Sequence, residues 1–387
     1  MTDPLPARAI LDRLVGFPTV SRDSNLDLIA WVEDYLGGFG VASRRVPDAT
    51  GTKAALYANV GPEVEGGVVL SGHTDVVPVD GQDWTTDPWA VTERGGRLYG
   101  RGTTDMKGFC ALALATVPLA LSRGIGRPLQ LAFSYDEEVG CVGAPPMIDD
   151  MVDHLPRAAA AIIGEPTMLR PVTGHNGSVM FRIHVHGFEV HSSNLPEGVS
   201  AIHEAGRILH WVNERNAAIQ SEPVAPASAP FDPPFTTAHV GTIEGGTAHN
   251  ITAKDCHLNV GFRSPAGDDP ERHAADLTTF LDDLDSALRA RHPKAGVTYD
   301  RNFGVPGLRP EEDGAAEALA RRITGDNGTH VVTYGTEAGQ FQERGYSAVV
   351  WGPGDIARAH QPDEWIATDQ FEKGEAALAK VVETLAA

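Results

Sequence analysis

Three apolar runs, Val68–Ser71, Leu129–Tyr135 and Ala159–Gly164, do not alternate polar with apolar residues. A strand with one wet face alternates at every second residue, whereas a strand covered on both faces has no reason to. Such runs call for a mainly parallel sheet with helices on both faces, the α/β class. The covering helices are legible nearby. Pro6–Phe17 places Ile10, Leu11 and Leu14 on one face, and Leu26–Leu36 does the same with Ile29, Val32 and Leu36 before a stop at Gly37-Gly38.

At Val179 the period changes to two. Val179, Phe181, Ile183 and Val185 alternate with Met180, Arg182, His184 and His186, and Cys256, Leu258, Val260 and Phe262 alternate with His257, Asn259 and Arg263. Each of these strands has one buried face. A helix at 200–217 turns Ile202, Ala205, Leu209 and Val212 inward, and a helix at 270–291 does so with Leu277, Leu281, Leu284 and Leu288. With strands at 179–186, 236–244, 250–263 and 296–301 the order is βαββαβ, a ferredoxin-like unit. The Pro/Ala-rich stretch Glu222–Pro234 reads as a loop. The α/β style resumes in Ala315–Arg322, Ala348–Trp351 and Gln370–Leu385. The chain therefore reads as a discontinuous larger domain, 1–178 and 302–387, with a smaller domain, 179–301, inserted into it.

The three apolar runs also end alike. The first enters Gly72-His73-Thr74-Asp75, the second Asp136-Glu137-Glu138, and the third Glu165-Pro166-Thr167. Ligands of open parallel sheets bind outside the carboxyl ends of the strands, so these groups converge on one crevice. Asp105, in the Gly100–Asp105 turn, and His360, in Ala359-His360-Gln361-Pro362, complete an imidazole-and-carboxylate cluster in which the cysteines take no part. That mixture suits zinc, with cobalt or manganese as substitutes. Two imidazoles are too few for a three-histidine mononuclear site and enough for a carboxylate-bridged pair. Carboxylates crowded together also repel one another unless cations neutralise them. Each piece alone has a plainer reading: Glu137-Glu138 as a solvated charge pair, Glu165-Pro166 as a turn, Asp105 as a helix cap. Asp75 either caps a turn or orients His73. His184 and His186, on the polar face of a strand, and His154, His292 and His330, in polar stretches, read as non-ligands; His175 and His249 stay open.

Composition removes other classes. The net charge of −21 disfavours nucleic acid and anionic membrane surfaces. No apolar run approaches the roughly 18 residues of a membrane span, and Met1–Ser21 lacks the pattern of a leader. Cys110, Cys141 and Cys256 are too few and scattered for a disulfide framework, so a cytoplasmic protein is expected. No Gly-x-Gly-x-x-Gly follows a strand, which speaks against a nicotinamide dehydrogenase.

In these residues the chain resembles the co-catalytic dinuclear zinc hydrolases, a family that includes acetylornithine deacetylase, succinyl-diaminopimelate desuccinylase, aminoacylases and glutamate carboxypeptidases. The blocks that carry the resemblance are Ser71–Asp75, Tyr99–Gly108, Tyr135–Glu138, Ile163–Thr167 and His360. The resemblance implies a zinc-exopeptidase-like catalytic domain and an inserted lid and dimerisation domain. It implies two Zn²⁺ ions bridged by Asp105, with His73 and Glu165 completing one site and Glu138 and His360 the other. Glu137 is then the general base, and Asp75 holds His73.

Further segments resemble the acetylornithine deacetylase branch: Asp80-Gly81-Gln82, Gly245–Asn250, Gly335–Ala338, and Gly352-Pro353-Gly354 leading to Ala359–Glu364. The implied substrate is a small N-acyl amino acid, N2-acetyl-L-ornithine, and the implied reaction is hydrolysis of its amide. A desuccinylase or a dipeptidase or carboxypeptidase of the same family is the neighbouring alternative, and a metal-free binding protein on the same fold the alternative from another class. Asn250 and Arg263 are implied substrate contacts. Arg263 suits an α-carboxylate through bidentate pairing, or else a surface ion pair. Glu337 suits a side-chain ammonium, or else a helix N-terminus. His191 is implied to act across a homodimer interface formed by residues about 179–300. Two segments depart from the family pattern, Gly187-Phe188-Glu189-Val190 before His191 and Asn250-Ile251-Thr252-Ala253, and both lie in the inserted domain.

Overall fold

The structure, a computed structural model, describes residues 3–386. The chain divides into two compact units. One holds the chain up to Gly174, Pro310–Val331 and Thr336 onward; the other holds His175–Arg309 and Val332–Gly335.

The larger unit is built on an eight-stranded sheet in the order Ser43–Pro47, Ala54–Val60, Leu129–Ser134, Val68–His73, Ala160–Pro166, Ala348–Gly352, Val172–His175, His330–Val332. The strands starting at Leu129, Val68, Ala160 and Ala348 are mutually parallel, while Ala54–Val60 pairs antiparallel with both Leu129–Ser134 and Ser43–Pro47, and Val172–His175 pairs antiparallel with Ala348–Gly352. The non-alternating runs form the strands of this parallel centre, and those strands are buried along their whole length. Helix Ala7–Val15 buries Ile10, Leu11 and Leu14, and helix Lys107–Arg123 buries eleven of its residues. Together with Leu70, Leu131, Phe133, Ile162 and Val381 they form one apolar cluster. Each fully buried Leu, Ile or Phe there contributes about 1.5–3 kcal/mol relative to exposure. Close approach sets the spacing beside Glu165: a Cβ on Gly164 would stand 2.0 Å from the Phe109 ring, so only glycine fits.

A three-stranded sheet, Trp365–Ala367, Arg97–Tyr99 and Thr92–Arg94, pairs Trp365 with Tyr99. It ties together the two chain segments that carry Asp105 and His360, which are remote in sequence.

The smaller unit has the sheet order Thr237–Gly245, Asp255–Ser264, Gly177–His186, Gly296–Val305, antiparallel throughout. With helices Ala201–Gln220 and Pro270–Arg291 it is βαββαβ of ferredoxin-like topology. Val179, Phe181, Ile183, Val185, Leu258, Val260 and Phe262 pack against Ala205, Ile208, Val212, Leu277, Leu281, Leu284 and Leu288. Two local expectations are corrected. Helix Ala201–Gln220 buries Ile208, whereas Ile202 is 43% exposed. The strand expected from residue 250 starts at Asp255, because Gly246 N–H donates to Asp255 O and closes the hairpin there. Asn250 therefore lies in the loop.

Candidate metal centre

His73 ends the strand Val68–His73 and is 1% exposed. Its Nδ1 lies 2.9 Å from the Asp75 carbonyl oxygen and 3.6 Å from Asp75 Oδ1. The backbone carbonyl, rather than the expected carboxylate, is thus the nearer group holding the ring. The Asp75 carboxylate accepts from Glu137 N–H (3.1 Å), Glu138 N–H (3.3 Å) and Ser21 Oγ (2.7 Å). It locks the turn after Leu129–Ser134, in which Asp136 stands at φ +55 and pairs with Lys53.

Asp105 presents one oxygen to each imidazole. His73 Nε2 is 3.1 Å from Oδ1, and His360 Nε2 is 3.1 Å from Oδ2. His360 Nε2 also lies 3.0 Å from Glu138 Oε2, while Glu165 Oε1 and Glu137 Oε2 stand 3.8 Å and 4.0 Å from His73 Nε2. His73, Asp105, Glu137, Glu138, Glu165 and His360 therefore meet in the larger unit, around a carboxylate placed to bridge.

Electrostatics set the character of this cluster. Burial resists ionisation of Asp105, but hydrogen bonds from His360 and His73 outweigh it and hold the carboxyl well below its usual range. Burial pushes Glu137 well above the carboxylate range, with the charge of Glu138 adding to it. Glu165 is raised by burial and then by Asp105. Glu138 is pushed up to about 7 by burial and by Asp105. His360 is raised to about 10 by its hydrogen bonds to Asp105 and Glu138. Two imidazoles cannot neutralise four carboxylates held this close, and Glu138 Oε1 is buried with no hydrogen-bond partner among the described residues. Ligand atoms of His73, Asp105 and Glu138, and of His73, Glu137 and Glu165, fall within 4.8 Å of one another. An all-N/O donor set with an orphaned, buried carboxylate oxygen fits divalent cations.

Several supporting residues escape sequence reasoning. Glu364 accepts from Gly102 N–H (3.1 Å), Thr104 N–H (2.9 Å), Asp105 N–H (3.0 Å) and Arg101 Nη1 (2.8 Å). Gln82 accepts from Arg101 Nη2 at 2.6 Å and donates to the His360 carbonyl at 3.1 Å. This steadies His360, a non-glycine residue at φ +62, a conformation that costs about 1–3 kcal/mol. Two of the three cysteines touch the cluster without joining its candidate ligands: Cys141 Sγ donates to Glu137 Oε1 at 3.2 Å, and Cys110 Sγ to the His73 carbonyl at 3.4 Å.

Glu337 is 1% exposed, accepts a hydrogen bond from Ser134 Oγ, and is pushed up to about 7 by burial. His191, Asn250 and Arg263 belong to the smaller unit. The structure brings His191 and Asn250 together there: His191 bridges to Ile251, and Ser192 N–H donates to Asn250 O at 2.9 Å. The His191 ring is exposed, with Nδ1 2.8 Å from Ser193 Oγ. Arg263 is exposed and, among the described residues, forms no ion pair. His175 is buried and lowered to about 4 by burial, so it is neutral; His249 is exposed in the loop.

Known proteins extend this picture. The sequence profile described as peptidase family M20/M25/M40 matches residues 69–384. An acetylornithine deacetylase of Myxococcus xanthus is 37% identical, covering 99% of this chain and 98% of the relative. One from Shigella sonnei (strain Ss046) is 34% identical over 94% and 93%. The crystal structure of an M20 family metallo-carboxypeptidase from Sulfolobus solfataricus superposes with a TM-score of 0.77 at 18% identity, covering 100% of this chain and 99% of that one. With a donor cluster of this kind at the strand ends and a match spanning both units, the chain belongs to peptidase family M20/M25/M40 and is a metal-dependent hydrolase.

Proposed function

We propose that this enzyme hydrolyses the amide bond of an N-acyl amino acid, N2-acetyl-L-ornithine to L-ornithine and acetate, with two Zn²⁺ ions that Co²⁺ or Mn²⁺ can replace. The observation that carries the reading is the split presentation of Asp105, one oxygen towards His73 and the other towards His360. His73 and Glu165 would hold one ion, Glu138 and His360 the other, with Asp105 shared. When bound, such ions polarise a carbonyl and lower the pKa of water towards neutrality.

The chain's own residues do the rest. Glu137 takes a proton from the attacking water and delivers it to the leaving nitrogen. Its burial favours the protonated form, which suits a group that must give the proton back. Asp75 fixes the backbone of Glu137 and the ring of His73. Arg263, which has no carboxylate partner among the described residues, takes the substrate α-carboxylate in a bidentate pair. Asn250 binds substrate beside His191. Glu337 takes the ornithine ammonium: a carboxyl held near 7 by burial is one that an arriving cation ionises.

We further infer a homodimer through the smaller unit, with His191 donating to the oxyanion in the neighbouring subunit's site. In support, the edge strand Thr237–Gly245 is exposed along most of its length, and Ile202, Ile243 and Ile251 are exposed apolar residues of the same unit. The three buried free cysteines suit a reducing compartment, and we place the enzyme in the cytoplasm. Among the described residues no helix is long and apolar enough to cross a membrane.

The curated relatives favour acetylornithine over the succinyl-diaminopimelate or peptide alternatives, which the metallo-carboxypeptidase neighbour keeps in view. Assaying acetylornithine, succinyl-diaminopimelate and short peptides side by side, with Zn²⁺ and with Co²⁺, separates them. The highest kcat/KM on acetylornithine supports the proposal, and preference for either other substrate replaces it.

A further inference from the structure

The smaller unit gathers a second set of ligand-type side chains. Its sheet turns one face to the helices Ala201–Gln220 and Pro270–Arg291, and the other face carries His184, His186 and His257. His184 and His186 are alternate residues of one strand, so they share that face. The antiparallel register sets His257 opposite His184 and Asp255 opposite His186, on the adjoining central strand. The result is a two-by-two patch of three imidazoles and one carboxylate.

Its geometry is tight. The His184 ring lies 3.7 Å from the His186 ring and 3.9 Å from the His257 ring, centroid to centroid. His184 Nε2 is 2.8 Å from Asp255 Oδ1, and ligand atoms of His184, His186 and Asp255 all fall within 4.8 Å of one another. Thr298 Oγ1, on the strand at the other side, meets His186 Nε2 at 3.0 Å. Donors around a tetrahedral zinc ion, with Zn–N of 2.0–2.1 Å, stand about 3.3 Å apart, so small side-chain rotations would close the set of His184, His186 and Asp255, with His257 adjoining it through its ring contact to His184. His184 and His186 are partly exposed and His257 is exposed, which leaves an approach from solvent.

Three imidazoles in contact are an awkward surface in any other role. Burial, followed by the charge of His184, lowers His186 below its ordinary value. Neutral imidazole is the form that ligates a metal. Nitrogen donors with a single carboxylate select borderline divalent ions over calcium or magnesium.

We propose that this face is a metal site, distinct from the catalytic cluster, at which His184, His186 and His257 with Asp255 bind one borderline divalent transition-metal ion such as Zn²⁺. It joins two central strands of the smaller unit and uses none of the residues assigned to hydrolysis, so it stands whether or not the substrate assignment does.

The test strips the full-length enzyme with a chelator, dialyses it against graded free Zn²⁺, and counts bound zinc per chain by elemental analysis. Wild type should saturate at one equivalent more than His184→Gln/His186→Gln, while the double variant keeps its far-UV spectrum and hydrolytic rate. With Cu²⁺ as the probe, the electron paramagnetic resonance spectrum of wild type should contain, beside the component from the catalytic cluster, a second imidazole-nitrogen component that the double variant lacks. If the double variant fails to fold, His257→Asn, altered at an exposed position, should weaken the extra zinc equivalent by at least tenfold. Equal zinc counts in wild type and the folded double variant, or unchanged zinc binding in His257→Asn, would overturn the proposal.

Discussion

Asp75 Oδ1 accepts the backbone N–H of Glu137 at 3.1 Å, so the group assigned to proton transfer is fixed through its main chain by a buried carboxylate from the next strand. Asp75→Asn offers one acceptor oxygen where two are used, and turns an amide N–H₂ towards a donor. One buried N–H is then left unmet, at a cost of about 1–3 kcal/mol. Urea unfolding should show that loss, and kcat should fall while zinc content stays near wild type, because the His73 ring is still held by a backbone carbonyl. Unchanged stability and unchanged kcat would show that Asp75 does not hold this turn.

Glu364 gathers three backbone N–H groups and the Arg101 guanidinium around the loop of Asp105. Both charged side chains are 1% exposed. Removing one partner of a buried pair typically costs about 3–5 kcal/mol, so Glu364→Ala should be destabilised by that order and should release zinc faster. Glu364→Gln, which keeps one acceptor, should retain more of both. Zinc release at the wild-type rate from folded Glu364→Ala would mean the loop needs no such clamp.

How much of this was legible beforehand depends on whether a residue acts through its neighbours in sequence or through contacts far from them. His73 and Glu165 stand at the carboxyl ends of apolar strands and Glu137 and Glu138 just beyond another, so their convergence follows from local pattern and one rule about strand ends. Arg101 and Glu364 are 263 residues apart, and nothing local marks either as half of a clamp. The Asp75 carbonyl and Cys141 were invisible for a related reason: a backbone oxygen has no sequence signature, and a thiol meeting Glu137 depends on a turn at φ +53. In the smaller unit, alternation revealed the strands, but Ile202 and Ile208 are both apolar and only packing decides which of them turns inward. The same alternation puts His184 and His186 on a polar face. Their cross-strand register with Asp255 and His257, which sequence alone does not supply, is what makes them a cluster.

The acid–base balance of the catalytic cluster makes stability and metal binding respond to pH in opposite directions. Glu138 has its folded value raised to about 7 from 4.5, so its contribution to stability is full below 4.5 and lost as pH rises through about 7. His360, raised to about 10 from 6.5, contributes fully below 6.5 and loses its contribution as pH rises through about 10. Chelator-stripped enzyme should therefore show a Tm that falls as pH rises from about 5 to about 10. Zn²⁺ needs the ionised carboxylate, so the gain in Tm on adding it should grow from about pH 5.5 to about pH 8. A larger zinc-induced gain at the acid end would contradict the assignment of Glu138 as a ligand.

His191 and Glu137 belong to different units of the chain, which makes their cooperation testable by mixing. His191→Ala and Glu137→Gln protomers, each inactive as a homodimer, should regain part of the activity when subunits exchange. One site of the heterodimer then combines an intact Glu137 with an intact His191 from its neighbour. Mixed protein that stays inactive while both parents remain folded and dimeric would exclude action across the interface.

The division of labour between two adjacent carboxylates is the core of the proposed mechanism. Glu138 Oε2 faces His360 at 3.0 Å and its other oxygen is buried without a partner among the described residues, whereas Glu137 takes the Cys141 thiol and stands 4.0 Å from His73. Measuring zinc per chain and kcat on acetylornithine for Glu137→Gln and Glu138→Gln in parallel tests it most directly. Glu137→Gln should hold close to the wild-type zinc content while losing several orders of magnitude in kcat, and Glu138→Gln should lose zinc as well as rate. Equal zinc loss in both variants, or substantial turnover by Glu137→Gln, would contradict the account.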